Sequence, residues 1–304
     1  MQLLQNNILV LSFSSAALCM RSRARGQVRE RARLGTQAFR ASVLAGFCFA
    51  GLVGFVPPAA YAGPFADAGH APTAMLSWAS EVEIFVRGPL DIASPGLGLA
   101  SFGLPENALG ESSAGTFDLV SLGDGGSATL YFEMGIGDGP GDDFAVYENG
   151  FFAPGGFFGE FAFVEVSTNG VDFARFAAES LHDFMVGGGE VIDPTDYGNF
   201  AGDQVEGLGT GFDLAELAGD ALVLGGLLDL SDVRYVRVVD VVGDGSTLDA
   251  LGFPVYDPYP TAFGSGGFDL EAVGVLHEAP EPGFGLALGA GLFALAGAAR
   301  RRLQ

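Results

Sequence analysis

Short apolar runs alternate with clusters of glycine, aspartate and proline between residues 63 and 279. This interval shows no long 3.6-residue apolar repeat, although residues 212–217 suit one short helix. Seven runs rich in β-branched and aromatic residues predict strands. They are residues 81–87, 127–133, 143–148, 160–167, 171–176, 233–239 and 268–276. The pattern predicts an all-β domain built as an antiparallel β-sandwich.

One pair of these runs carries a turn signal. Asn169-Gly170 separates residues 160–167 from residues 171–176. This dipeptide favours a tight primed turn, in which both central residues take positive φ. We therefore expect a hairpin here. The apolar residues 161–166 and 235–239 do not alternate cleanly, which favours central strands for both.

The N-terminal region has the order of a secretory signal. Basic residues 21–40 precede the apolar residues 41–56, and Ala60 and Ala62 form a small-x-small site read by signal peptidase. We expect cleavage after Ala62, which makes the first 62 residues the signal region. The alternative is a retained membrane anchor. Met20 is an alternative start.

The C-terminal region predicts a membrane segment. Pro280-Glu281-Pro282 precedes residues 283–299, which carry no charge, and Arg300-Arg301-Arg302 follows them. The uncharged stretch lies at the lower edge of bilayer-spanning length. The terminal arginines predict a cytoplasmic C-terminus with the body of the protein outside. The alternative is a buried core helix.

Charge separates the body from both ends. The chain has no lysine, and residues 63–279 hold 35 of the 37 acidic residues but only four arginines, so their net charge is 4 − 35 = −31. Such a body repels phosphate backbones, so nucleic acid is not expected as a partner. Divalent cations and basic partners are favoured. Both cysteines lie before residue 63, which leaves the body without a disulfide or a thiolate metal site.

The C-terminal pattern resembles a known sorting signal. The Pro280-Glu281-Pro282 tripeptide, the short Gly/Ala/Leu helix and the arginine cluster are similar to the PEP-CTERM tail. The resemblance implies recognition by exosortase, a membrane transpeptidase, in a Gram-negative bacterium that makes exopolysaccharide. It also implies transient anchoring and delivery to the cell surface or extracellular matrix. Residues 280–304 form this tail.

The body resembles galactose-binding-like jelly rolls of the discoidin type. The similar segments are FVEVSTNGVDFARF (163–176), VRYVRVVD (233–240) and GGFDLEAVGVL (266–276). The resemblance implies a jelly-roll sandwich over residues 63–279. Jelly rolls of this class often bind a structural calcium near one end of the sandwich.

Acidic, glycine-rich loops are the candidate metal sites. Calcium takes six to eight oxygen ligands on a tightly turning chain, and Asp-Gly loops supply both features. Asp240, Asp244 and Asp269 are the first candidates because each follows or opens a predicted strand, and Asp142 and Asp143 are the next. The alternative is that these residues form solvated turns without an ion.

Phenylalanines are concentrated between residues 147 and 163. Aromatic rings stack on sugar faces, so the four that lie among glycine and proline are candidates for glycan binding; they are Phe151, Phe152, Phe157 and Phe158. Core packing is the alternative for these four. For Phe161 and Phe163, we expect core packing.

Catalytic motifs are missing from the sequence. It contains neither a G-x-S-x-G elbow nor histidine or cysteine at zinc-binding spacing, and only three histidines occur. We therefore expect no catalytic residues and an exported, noncatalytic surface protein, stabilised by calcium and binding exopolysaccharide. The alternatives are a secreted glycan-active enzyme using paired carboxylates and a purely structural matrix component.

Overall fold

The computed structural model describes residues 64–113, 118–261 and 263–281. Within these ranges the chain forms sixteen strands, most of them antiparallel. In chain order they are β1 (Ser77–Trp78), β2 (Glu81–Val86), β3 (Val120–Ser121), β4 (Ser127–Ile136), β5 (Phe144–Glu148), β6 (Phe151–Ala153), β7 (Gly156–Phe158), β8 (Ala162–Ser167), β9 (Ala174–Arg175), β10 (Glu179–Ser180), β11 (Val186–Gly187), β12 (Tyr197–Gly198), β13 (Gly209–Phe212), β14 (Val233–Asp240), β15 (Pro258–Tyr259) and β16 (Asp269–Val275).

Helical structure is limited to short turns in the described ranges. The 3₁₀ helices are Pro72–Ala74, Pro95–Leu97, Pro105–Ala108, Pro194–Asp196 and Leu214–Leu217, and the α-helix α1 is Ala221–Leu224. The short helix predicted at 212–217 is therefore present as a 3₁₀ turn. None of the helices in this part of the chain has the length and apolar character needed to cross a bilayer. The predicted signal region, with Ala60 and Ala62, and the predicted tail segment 282–304 lie outside the described residues.

Two five-stranded antiparallel sheets form the body. Sheet I has the order β1-β16-β5-β13, with β3 also paired to β16, and sheet II has the order β2-β4-β14-β8-β9. From β4 onward, the described strands of four or more residues alternate between the two sheets along the chain. The predicted all-β sandwich is confirmed at this level.

All seven predicted strands are present, with ends that differ by a few residues. The predicted hairpin is also present, because β8 pairs with β9 in antiparallel register. Its predicted primed turn is wrong, since Asn169 does not take the positive φ that such a turn requires. Instead, the Asn169 side chain accepts hydrogen bonds from the backbone N–H groups of Val171 and Asp172, both at 2.9 Å. These bonds stabilise a wider loop.

The main core lies between the two sheets. In β5, Phe144 and Val146 point into it, whereas Ala145 and Tyr147 form a separate cluster on the outer face of sheet I. This alternation is the period of two that a strand imposes on its side chains. Sheet II contributes the inward-facing valines of β8 and β14. A further core cluster, which includes Phe157, lies beneath the β6–β7 hairpin.

The two sheets end together. At one end of the sandwich, β4, β8 and β16 begin and β5 and β14 finish. The two sheets are linked at this end, because Asp240 at the end of β14 is bonded to the backbone of Phe268 just before β16. At the opposite end, Gly137 after β4 donates to the carbonyl of His277 after β16. We call the first of these the distal end and the second the tail end, since the chain leaves the described body there towards residue 281.

Candidate cation site

Four buried carboxylates line one cavity at the distal end. They are Asp124, Glu160, Asp240 and Asp257, none more than 7% exposed. We call this set the acidic cavity. Three of the four lie at the ends of sheet II strands, since Asp124 comes just before β4, Glu160 just before β8 and Asp240 at the end of β14.

Backbone N–H groups orient these carboxylates. Asp240 accepts from Gly125 at 2.7 Å through one oxygen and from Phe268 at 2.6 Å through the other. Asp257 accepts from Phe161 at 3.0 Å. Asp240 therefore joins the loop before β4 to the start of β16 and connects the two sheets.

A glycine makes room for one of the four acids. A Cβ atom on Gly243 would lie 1.7 Å from a carboxylate oxygen of Asp257. Any other residue at this position would displace the carboxylate or the loop that follows β14. The local sequence is thus fitted to the buried acid.

Burial shifts the protonation of the whole set. Removal from water raises the pKa of Glu160, Asp240 and Asp257 well above the ordinary carboxyl range, and it also raises the pKa of Asp124. The negative charges of neighbouring acids add to this effect, as that of Asp257 does for the pKa of Asp240. In the absence of a cation, these groups therefore favour the protonated form.

The arginines of the described residues make their polar contacts elsewhere. Arg87 donates to backbone carbonyls, Arg175 and Arg237 share the carboxylate of Glu165, and Arg234 pairs with Asp232. With no lysine in the chain, the buried acids require protons or a bound cation for compensation. Leaving several unpaired charges inside a protein costs several kcal/mol for each ion.

The space between the four acids is narrow and lined by oxygen donors. Its gaps are too narrow to hold a water molecule, so an ion there would bind protein oxygens directly. The hydroxyl of Thr261, which bonds to Glu160, and the backbone around Gly243 also line this space. Such a set of oxygen donors is the kind that hard divalent cations prefer.

The other two first-choice metal residues lie near this cavity. Asp244 is half-buried, accepts from the N–H of Ser246 at 2.8 Å and raises the pKa of Asp257 through its charge. Asp269 is buried and bonded to Ser121 and Asn149. Burial raises the pKa of Asp269 to about 6.

Asp142 and Asp143 lie at the tail end, so the five predicted metal residues do not form one site. Asp142 is 2.6 Å from His70, and Asp143 is 2.9 Å from His277. Asp143 is fully buried, and it also accepts from the N–H groups of Gly139 and Leu214.

Asp143 belongs to a second acidic cluster. Carboxylate oxygens of Asp138, Asp143 and Asp213 lie within 4.8 Å of one another, so this triad could hold a metal ion. Among the described residues no other three acidic, histidine or cysteine side chains meet that spacing. No three of the carboxylates in the acidic cavity come that close, so in this arrangement an ion there would bind at most two of them at once.

Sequence reasoning identified Asp240 but missed three members of the cavity. Asp124 and Asp257 lie in loops that look like ordinary Asp-containing turns, and Glu160 precedes a predicted strand. The available signal was the position of Asp124 and Glu160 just before strands β4 and β8, which begin at the same end.

The four predicted glycan-binding phenylalanines form the β6–β7 hairpin. Phe157 is fully buried, so its predicted exposure to a ligand is wrong. Phe152 is half-buried against the same core cluster. Phe151 is 52% exposed and stacks on the half-buried Phe158 with ring centroids 5.2 Å apart. Phe161 and Phe163 are buried, as expected.

No protein-family model matches this chain, and no curated protein is similar to it. The geometry of the acidic cavity and of the acidic triad is therefore what supports a function. The class of protein that these features define is an all-β antiparallel sandwich with buried, uncompensated carboxylates at one end.

In buffer without divalent cations, the melting temperature should fall as the pH rises from about 4 to 8. A carboxyl whose pKa is raised by folding stabilises the protein fully below its unfolded value, and this stability is lost as the pH rises through the folded value. For Asp269, with a folded pKa of about 6, the loss is on the order of 3 kcal/mol. Glu160, Asp240 and Asp257, whose pKa values burial raises well above the ordinary range, extend this loss of stability to higher pH. Circular dichroism melts with chelator would measure this, and a flat or rising profile would contradict it.

Proposed function

We propose that this protein is an exported, noncatalytic component of the bacterial surface or extracellular matrix, stabilised by calcium bound in the acidic cavity. The observation that carries the proposal is the burial of four carboxylates without a basic partner among the described residues. The two arginine-flanked apolar segments support export through signal peptidase and sorting through exosortase.

Calcium fits the cavity better than softer metals do. All the polar side chains that line it offer oxygen, which is the donor that calcium prefers. A cation of charge +2 would also replace the protons that the raised pKa values retain. The chain's strongly acidic body raises the local concentration of such cations.

The jelly-roll assignment is part of the same proposal. The alternation of strands between sheets from β4 onward supports it, as does the resemblance of residues 163–176 and 233–240 to galactose-binding-like domains. In this interpretation the acidic cavity is the candidate for the structural calcium that such domains often bind near one end of the sandwich.

A polysaccharide partner is proposed for the stacked Phe151 and Phe158 rings at the distal end, of which Phe151 is the exposed one. Phe151 and Phe158 present a stacked pair at the surface of the β6–β7 hairpin. Exposed rings on a folded domain often mark a binding surface. Exopolysaccharide is the partner that the sorting tail suggests.

At pH 8, saturating calcium should raise the melting temperature by about 5–10 °C, which corresponds to about 3 kcal/mol of ligand stabilisation. Asp240→Asn should lose more than half of that rise, because it removes a charged ligand at constant size. In chelator, the same variant should melt below the wild type, because the Asn amide nitrogen cannot accept the backbone N–H bond that one Asp240 oxygen accepts. The rise above each protein's own melting temperature in chelator is therefore the quantity to compare.

The matched control for this experiment is Glu133→Gln, which changes an exposed acid on β4. Its response to calcium should equal that of the wild type. Scanning calorimetry with calcium and with chelator would measure the calcium-dependent rise in melting temperature of the wild type and of both variants. An Asp240→Asn variant that gains as much from calcium as the wild type would exclude the acidic cavity as the site.

Mass spectrometry of the native surface form tests the export proposal. The mature chain should begin at Gly63 and should be processed near residues 280–282, because signal peptidase and exosortase cut at the two predicted sites. Replacing Ala62 with a bulky residue, as in Ala62→Trp, should block the first cut. An unprocessed chain recovered from the cytoplasm would refute export.

A glycan-active enzyme is the second candidate, and one observation favours it. A cleft of about 230 Å³ at the tail end is lined by Asp142, Asp203 and Asp213 among other acids. Burial raises the pKa of Asp203 to about 7, while Thr210 donates to it at 2.5 Å. A carboxyl that holds its proton near neutral pH has the protonation that a general acid needs.

If this second candidate is correct, the protein should release reducing sugar from the exopolysaccharide, and Asp203→Asn should reduce the rate at least 100-fold. Asp229→Asn, at an acid outside the cleft, is the control. A wild-type protein that releases no sugar over the pH range 4–8 would eliminate the enzyme hypothesis and leave the binding proposal intact.

A further inference from the structure

A second cleft at the distal end carries the features of a sugar site. It measures about 340 Å³, which is within the range of small-ligand pockets, and it lies against the tip of the β6–β7 hairpin. Its walls include the ring of Phe184, the ring of His182 and the apolar side chain of Ile192. The sequence prediction did not include any of these residues.

A line of rings holds Phe184 in position. The ring centroid of Phe184 lies 4.0 Å from that of His182, and the His182 centroid lies 6.1 Å from that of Tyr197. Tyr197 in turn stacks on the buried Phe161, with the centroids 3.9 Å apart. The outermost ring is therefore connected to the core through two intermediates. A platform that is already rigid loses little conformational freedom when it binds a ligand.

Phe184 nevertheless remains 64% exposed. An aromatic ring left in water at the mouth of a cleft forgoes most of the free energy that its burial would contribute. Its face is flat and apolar, and it matches the apolar C–H face of a sugar ring. The arrangement suits a ligand that covers the ring and also reaches into the cleft.

Carboxylates supply the polar part of the cleft. Glu190 accepts from the N–H of Gly187 at 2.9 Å through one oxygen, and Asp193 accepts from Thr195 through one oxygen. These bonds fix both side chains, and Asp196 lines the same cleft. Because oxygens of Glu190 and Asp193 act as hydrogen-bond acceptors here, the cleft favours a ligand that carries hydroxyl donors.

The negative charge of the cleft and of the whole body excludes anionic sugars as favoured ligands. Three carboxylates in one cleft, on a body with a net charge of 4 − 35 = −31, repel uronate or sulfate groups. A neutral sugar has the hydroxyls that the carboxylates require without that repulsion. The exposed ring of Phe184 favours a sugar over a simple basic ligand, because a basic ligand would need only the charges.

We propose that this cleft binds a neutral sugar unit of a polysaccharide, with the sugar ring on Phe184 and its hydroxyls donating to Glu190, Asp193 and Asp196. The inference rests on the polysaccharide-binding part of the proposed function and gives it a site and a ligand class. The stacked pair of the exposed Phe151 and the half-buried Phe158, on the β6–β7 hairpin, would lie outside this primary site.

Affinity electrophoresis of the full chain tests the site. The gels would contain dextran, galactomannan, a mixed-linkage β-glucan or the organism's neutral exopolysaccharide, with alginate as the anionic comparison. At least one neutral polymer should retard the wild type, and alginate should not. Phe184→Ala should weaken binding about tenfold or more, and Phe184→Trp should retain it, because the larger ring preserves stacking.

Met185→Ala is the matched control, since Met185 is the next residue and is 63% exposed but does not line the cleft. It should bind like the wild type, and all variants should keep the calcium-dependent rise in melting temperature. Wild-type binding that Phe184→Ala retains would overturn this site alone. Wild type that binds only alginate would also overturn this site alone. Failure of the wild type to bind any of the polymers, alginate included, would overturn both this site and the polysaccharide part of the proposed function.

A basic peptide is the competing ligand class for the cleft. Its signature would be salt-sensitive binding of polylysine that Glu190→Gln weakens and Phe184→Ala leaves unchanged. That result would replace the sugar assignment. Binding to a neutral polymer that is insensitive to salt and sensitive to Phe184→Ala would support it.

Discussion

The buried carboxylates at the distal end set the main physical constraint on this fold. A sandwich gains its stability by closing two apolar sheet faces on each other, and this one does so with inward-facing valines and phenylalanines. At the same time it buries Asp124, Glu160, Asp240 and Asp257 where no basic side chain of the described chain compensates them. Their charge must be neutralised by protons or by a cation, so the state of this end depends on the solution around it.

Asp240 shows how this constraint connects to the rest of the structure. It ends β14, the central strand of sheet II, and its two oxygens bond to the loop before β4 and to the residue before β16 of sheet I. A cation near this carboxylate would therefore act on the joint between the sheets. A structural ion at such a joint stabilises the folded state without needing to contact any ligand.

The sequence predicts the long strands well because their apolar periodicity and β-branched composition are local signals. Two-residue strands such as β10 and β12 carry no such signal, since they are fixed by the loops around them. Asp240 was identifiable as the end of a strand, but Asp257 was not, because its burial comes from packing between distant loops. Phe157 was misassigned for the same reason: a ring among glycines looks exposed until the hairpin folds onto Ile192.

The two ends of the sandwich are then suited to different tasks. Ala279 donates to the carbonyl of Gly135 at the tail end, so the last described residues, 280 and 281, which open the predicted tail of residues 280–304, follow at that end. The acidic cavity and the cleft beside Phe184 both lie among the loops of the opposite end, where β11 pairs with β15 next to Asp257. If the proposed tail anchors the tail end in a membrane, the proposed cation and sugar sites at the opposite end would face away from the lipid. That orientation would give them access to external calcium and to matrix polysaccharide, and it would separate ligand binding from the processing of the tail.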